Sequence, residues 1–265
     1  MRLISRRGVL AAGLAALAPR VRAQGLRAGV VVMHGKTGMP GFAGLRTLAA
    51  RLEAAGMRVA LPEMPWSRNR YIDGPVEKAF DEIAKELVRL KSAGAAKLFL
   101  AGHSIGATAA LGSAVARGGI DGVAMVATGH VPQFYYNVAF TANLAVRDSV
   151  DRARALVAAG RGGESAEFAD HNQGKALSLR MKAADYLSWF APDGAMDPHA
   201  LVAKAPCPVL WAIGMQDGLY ASSRAQYFDR LPPDPRHTFV AVAGGHLDTP
   251  AAAADDVAVF LKSLA

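Results

Sequence analysis

The sequence predicts an α/β protein built on a mostly parallel sheet flanked by helices. Three observations carry this. From Ala28 onward, short apolar runs alternate with stretches whose apolar residues recur at helical spacing, the pattern of successive strand-helix units. The chain has 265 residues, enough for one large domain of that kind. The string Gly102-His103-Ser104-Ile105-Gly106 lies between a strand-like run and a helical one, where a sharp turn is needed.

Taken in order, Val30 to Met33 reads as a first strand ending at His34-Gly35, a helix spans about Gly41 to Ala55, and Arg58 to Leu61 is the next strand, stopped by Pro62 and Pro65. Phe80, Ile83, Leu87 and Leu90 give Val76 to Lys91 a helical period, with Gly94 ending it before the strand Lys97 to Ala101. A turn over Gly102 to Gly106, a small-residue helix to about Ala116 and a strand over Gly122 to Ala127 follow. The alternation then lapses. Residues of about 130–206, with helical patterns around 143–159 and 174–190, read as an inserted helical lid. Strands resume at Pro208 to Ile213 and Thr238 to Val242, and a closing helix spans about Pro250 to Leu264, with Asp248 or Thr249 placed to cap it.

Composition narrows the function classes. With 52% hydrophobic and 20% charged residues, the chain is neither disordered, collagenous nor a disulfide scaffold. The formal charge of +8 raises a nucleic-acid reading, but Arg2, Arg6, Arg7, Arg20 and Arg22 all fall in the first 23 residues, which hold no acid. What remains carries 25 basic and 22 acidic side chains, a net +3, without the Lys/Arg run that a nucleic-acid footprint needs. Nucleic acid is therefore not expected as a partner. Cys207 is the only cysteine, so no intrachain disulfide can form, and it is expected to be a small buried hydrophobe.

Residues 1–23 read as an export signal, leaving 24–265 as the folded domain. They hold a basic segment, an apolar stretch from Gly8 to Ala18, and Val21-Arg22-Ala23, after which cleavage would leave Gln24 as the first residue. About 11 apolar residues fall well short of the roughly 20 that span a bilayer, so no stable membrane insertion is expected. Ser5-Arg6-Arg7-Gly8-Val9-Leu10 resembles the twin-arginine signal, which implies transient engagement of that export machinery and a periplasmic or secreted location in a bacterium.

The chemistry-bearing residues gather at strand ends. Ser104 follows the strand ending at Ala101, Asp217 follows Ile213 and Gly214, and His246 follows Gly244-Gly245 after the last strand. The carboxyl ends of strands are where such sheets build their sites. The order Ser, Asp, His and the Gly-x-Ser-x-Gly turn resemble the α/β-hydrolase family over residues 28–264, the position of the lid included. That resemblance implies an α/β-hydrolase fold in which Ser104 is the nucleophile, His246 the base and Asp217 the acid that orients it. The division of labour is physically sound: a hydroxyl is a poor nucleophile until an imidazole takes its proton, and a carboxylate holds that imidazole's tautomer. His34-Gly35-Lys36 resembles the family's H-G-x turn, which implies that the backbone N–H groups of Lys36 and Ile105 hold the developing oxyanion, each worth about 2.7–4 kcal/mol.

The implied activity is that of an exported serine hydrolase of the carboxylesterase type, acting on a small-molecule ester. Lactones, thioesters and amides run on the same residues, and a noncatalytic binding protein of this fold is the other class. Gly35-Lys36-Thr37 has the end of a phosphate-binding loop, but the glycine that motif requires is Val30. No metal-ligand spacing appears, and neither metal nor cofactor is expected. His34 reads as a turn residue, His103 as structural or site-lining, and His237 as the start of a strand, while His130, His171 and His199 fall in or beside the insertion. Phe134, Tyr135, Tyr136, Phe140, Tyr186, Trp189 and Phe190 are available either to line an apolar pocket or to pack the insertion onto the core. Arg68 and Arg70 are candidates for binding an anionic substrate at the rim.

Overall fold

The protein is described here by a computed structural model covering residues 27–138, 141–172 and 174–265. The leader, the expected cleavage site and Phe140 lie outside the described residues. In chain order the first half comprises β1 (Ala28–Met33), α1 (Ala43–Ala54), β2 (Arg58–Ala60), α2 (Val76–Ser92), β3 (Lys97–Ser104), α3 (Ile105–Arg117) and β4 (Gly122–Thr128). The segment after β4 holds α4 (Pro132–Asn137), α5 (Thr141–Ala158), β5 (Ser165–Asn172), β6 (Lys175–Lys182), α6 (Ala183–Phe190) and α7 (Pro198–Leu201). The chain closes with β7 (Val209–Gly214), α8 (Tyr220–Gln226), β8 (Thr238–Val242), α9 (Thr249–Ala252) and α10 (Ala254–Ser263).

Six strands form one sheet in the order β2-β1-β3-β4-β7-β8, and every neighbouring pair is parallel. β1, β4 and β7 are buried along their whole length, which is why they read as unbroken apolar runs rather than as alternations. The period of two still decides where each side chain goes. Ala28, Val30 and Val32 pack with Leu45, Leu48 and Leu52 of α1 and Val257 and Leu261 of α10. Val31 and Met33 pack on the opposite face with Val76, Phe80 and Ile83 of α2. α3 is buried nearly all round because it lies between the sheet and the inserted segment, and its small residues permit that close approach: a Cβ on Gly112 would stand 2.6 Å from the Ala195 carbonyl oxygen.

Three expectations need correction. The insertion between β4 and β7 is not purely helical, since β5 and β6 form an antiparallel hairpin with Phe168 opposite Leu179. Residues 174–190 are a strand followed by a helix: Leu177, Leu179 and Met181 recur every two residues to Lys182, and the helical period starts only at Ala183. Such a two-stranded sheet is marginal alone. It packs against α5 and α6, where Phe168, Tyr186 and Phe190 stack with successive ring centroids 4.5 Å apart. The closing helix is two helices, α9 and α10, separated at Ala253. Finally, β3 runs through the Gly102–Ser104 segment, so the turn is confined to Ser104 itself.

Candidate active site

β3 passes into α3 without a loop, and Ser104 makes the reversal with φ 58° and ψ −123°. Backbone strain of this kind costs about 1–3 kcal/mol and persists only where the surroundings impose it. They do so here through close backbone approach. A Cβ on Gly102 would lie 2.2 Å from the carbonyl carbon and oxygen of Gly106, and one on Gly106 would lie 2.7 Å from the carbonyl oxygens of Met33 and His34. Neither position has room for a side chain.

β4 is shaped to meet this turn. Val126 pairs with His103 and Thr128 with Ser104, leaving Ala127, at φ 45°, as an extra residue that bulges the strand. Gly129 follows, its carbonyl held by Thr108 Oγ1 at 2.6 Å. A Cβ on Gly129 would stand 2.5 Å from Ser104 Oγ and 3.4 Å from His246 Cε1, so the hydroxyl and the imidazole converge on the same point. Sequence reasoning had no signal for Gly129, which belongs to no motif.

The ends of β7 and β8 are tied together by Met215 N–H to the Val242 carbonyl at 2.8 Å and Gln216 N–H to the Gly244 carbonyl at 3.0 Å. These bonds bring Asp217 beside His246. Asp217 Oδ2 accepts from His246 Nδ1 at 2.7 Å, and Oδ1 accepts from the Leu219 N–H at 2.9 Å. Burial alone would raise the Asp217 carboxyl, but the bonds from His246 and Leu219 outweigh it and hold the group below the usual carboxylate value. An ionised Asp217 can only accept, so Nδ1 of His246 carries the proton and Nε2 is left with its lone pair. Asp248 stands at the N-cap position of α9 but makes no side-chain cap bond there. Its Oδ2 accepts from the Gly245 N–H at 2.9 Å, so it braces the turn carrying His246 instead.

Two further histidines hold the frame as neutral rings. His103 Nε2 donates to the His246 carbonyl at 3.0 Å, its ring centroid 4.9 Å from that of His246. Burial, reinforced by the neighbouring His246, pushes His103 down to about 4, so no second cation opposes an imidazolium forming at His246. His34 accepts from the Met64 N–H through Nε2 at 3.0 Å and donates through Nδ1 to the Gly35 carbonyl at 2.9 Å. It is the turn-fixing residue its sequence context implied, and burial lowers its pKa.

Lys36 holds the feature that the sequence did not disclose. Its Nζ donates to Asp170 Oδ1 on β5 at 2.6 Å, with 4% and 0% of the two side chains exposed, and also reaches the His171 carbonyl at 3.3 Å. Tyr71 Oη donates to the other carboxylate oxygen at 2.7 Å. Burial and the adjacent Asp170 charge push the Tyr71 hydroxyl well above its ordinary pKa, keeping it a donor. The pair clamps the insertion to the turn after β1. Asp170→Ala should cost about 3–5 kcal/mol in stability, because it strands a buried ammonium. Urea unfolding would read this directly, and the double variant Lys36→Met with Asp170→Leu should recover most of the loss.

Lys36, Ser104, Ile105, Asp217 and His246 all border one cavity of about 360 Å³. The insertion aromatics divide between the two roles open to them. Phe134 and Tyr135 line this cavity, whereas Tyr186, Trp189 and Phe190 are fully buried in the core, and Tyr136 Oη donates to Asp151 on the surface. Arg70 is not available to a ligand, since its guanidinium is bound by Glu82 at 2.7 Å and Asp73 at 2.8 Å. Cys207 is buried and its thiol is pushed up to about 12 by that burial. Among the described residues no cluster of His, Cys, Asp or Glu is arranged to hold a metal ion.

No protein-family model and no curated protein matches the sequence. Solved structures do match the fold. The monoacylglycerol lipase of Paleococcus ferrophilus aligns over 91% of this chain and 96% of its own at a TM-score of 0.63 and 20% identity. Est1E of Butyrivibrio proteoclasticus, with ferulic acid bound, aligns over 91% of each chain at 0.61 and 17% identity. The fluorophosphonate-binding serine hydrolase F of Staphylococcus aureus aligns over 96% of this chain and 90% of its own at 0.58 and 14% identity.

Proposed function

We propose that this chain, which has the α/β-hydrolase fold, is a serine hydrolase that cleaves a carboxylic ester by passing its acyl group through Ser104 to water. The observation that carries the proposal is the hydrogen bond of Asp217 to His246 Nδ1 beside a strained Ser104. Nε2 of His246 takes the proton as Ser104 Oγ attacks the carbonyl carbon, and Asp217 stabilises the imidazolium. The backbone N–H groups of Lys36 and Ile105 then receive the negative charge on the carbonyl oxygen. Collapse of the tetrahedral intermediate expels the alcohol, which takes the proton from His246. A water activated by the same imidazole releases the acid and restores Ser104. The names of the structural neighbours, a lipase and a serine hydrolase among them, run in the same direction.

Labelling by a fluorophosphonate probe, followed by a panel of 4-nitrophenyl esters of increasing acyl length, tests this. Labelling of Ser104 with ester turnover is expected, and a chain that neither labels nor turns over any ester sinks the proposal. Gly129→Ala should keep the fold and lower kcat by about 10²-fold, because the added methyl displaces the Ser104 hydroxyl and small misplacements of a reacting group carry costs of that order.

The leader supports export of the folded enzyme to the periplasm or beyond. Replacing Arg6 and Arg7 together by lysine should leave active precursor in the cytoplasm of a Gram-negative host, as cell fractionation would reveal. Periplasmic enzyme from that double variant would remove the twin-arginine reading.

A further inference from the structure

Ser104 borders two cavities, one mostly apolar and the other mixed. The larger is walled by Ile105, Val131, Phe134, Tyr135 and Leu219. The smaller, of about 250 Å³, is bordered by the 34–38 turn, His103, Asn172 and Arg68, with Phe42 and Leu247 as its apolar members. An ester attacked at Ser104 must place its two halves on either side of the scissile carbonyl, so the two cavities describe two halves of one substrate. The first takes an apolar group. What the second takes depends on Arg68.

Arg68 is exposed, which by itself says little, but its surroundings are specific. It springs from a rigid knot. Its N–H donates to the Gly38 carbonyl at 3.2 Å, Thr37 N–H to the Trp66 carbonyl at 2.8 Å, and Tyr71 N–H to the Ser67 carbonyl at 2.8 Å. The acids of the same segment are committed elsewhere. Glu63 accepts from Ser67 Oγ at 2.6 Å and Asn69 Nδ2 at 3.0 Å, while Asp73 and Glu82 are taken by Arg70. Among the described residues no carboxylate pairs with Arg68. An arginine whose backbone is tied down in this way, which lines a cavity bordering the nucleophile and whose segment has its own acids already spent, is suited to an external acid. Its planar fork matches a carboxylate.

We propose that Arg68 is a specificity-determining residue, and that the substrates are esters with an apolar group on one side of the scissile bond and a carboxylate on the other. This rests on the serine-hydrolase reading above. The test uses two matched pairs of esters, one for each orientation. The first compares the butyrate ester of 4-hydroxybenzoate with that of 4-hydroxybenzamide. The second compares the 4-nitrophenyl monoester of adipate with its terminal amide. In at least one pair the carboxylate member should have a kcat/KM about tenfold higher, the scale of one hydrogen-bonded charge pair. That ratio should fall to about one in Arg68→Gln and invert in Arg68→Glu. Hydrolysis of the neutral members without a carboxylate preference in either pair, or a preference that survives both substitutions, overturns the role of Arg68 and leaves the hydrolase reading standing. Hydrolysis of no member of either pair overturns the role of Arg68, and only if fluorophosphonate also fails to label Ser104 does it remove the hydrolase reading as well.

Discussion

Ser104→Ala should abolish ester hydrolysis and fluorophosphonate labelling, with kcat lower by about 10⁶-fold, the cost found when a serine nucleophile is removed from a triad. What survives is the contribution of the oxyanion donors and of binding, about 10³–10⁴ over water. The variant should fold normally. Alanine meets the same strain at φ 58° as serine does, and that conformation is imposed by the contacts of Gly102 and Gly106, which the substitution leaves in place. Thermal unfolding within a degree or two of the parent, together with lost turnover, is therefore the expected pair of results. Turnover within tenfold of the parent would mean that another group is the nucleophile.

Asp217→Asn should lower kcat by about 10⁴-fold with little change in KM, because a neutral amide leaves the imidazole in the wrong tautomer. The Asp217 carboxyl sits below its usual value, so it stays ionised throughout the neutral range and holds the proton on Nδ1 of His246 there. Asp248→Asn is the control. Asp248 contacts the Gly245 N–H, and an asparagine oxygen can still accept that bond, so kcat should change by less than about tenfold. A large effect at Asp248 with a small one at Asp217 would exchange their roles.

Much of the protein was readable because the controlling physics is local. The unbroken apolar runs of β1, β4 and β7 belong to strands buried on both faces, and α2 declares itself through Phe80, Ile83 and Leu90. The hairpin in the insertion was missed because Asp170, a charged residue, occupies a buried position of β5 and hides the alternation. Lys182 then joins strand to helix without a break in polarity. The split between α9 and α10 falls at Ala253, inside a run of alanines that local propensity treats alike.

By itself the sequence determined the parallel strand-helix order, the glycine pair about Ser104, and the positions of Ser104, Asp217 and His246 at strand ends, all set within a few residues of chain. Only the tertiary structure decided which charges meet. Lys36 and Asp170 are 134 residues apart, and nothing local to either names the other. Arg68 and Arg70 are two residues apart and alike in sequence, yet the packing of α2 brings Glu82 to Arg70 and leaves Arg68 facing the cavity beside Ser104. The same holds for Asp217 and Asp248, two acids near one histidine in the fold. The joined ends of β7 and β8 place Asp217 on the imidazole and Asp248 on the backbone. A short-range pattern can specify which way a side chain points from its own element. Which partner it finds depends on how elements pack, and for a charge the partner decides whether it is structural or available.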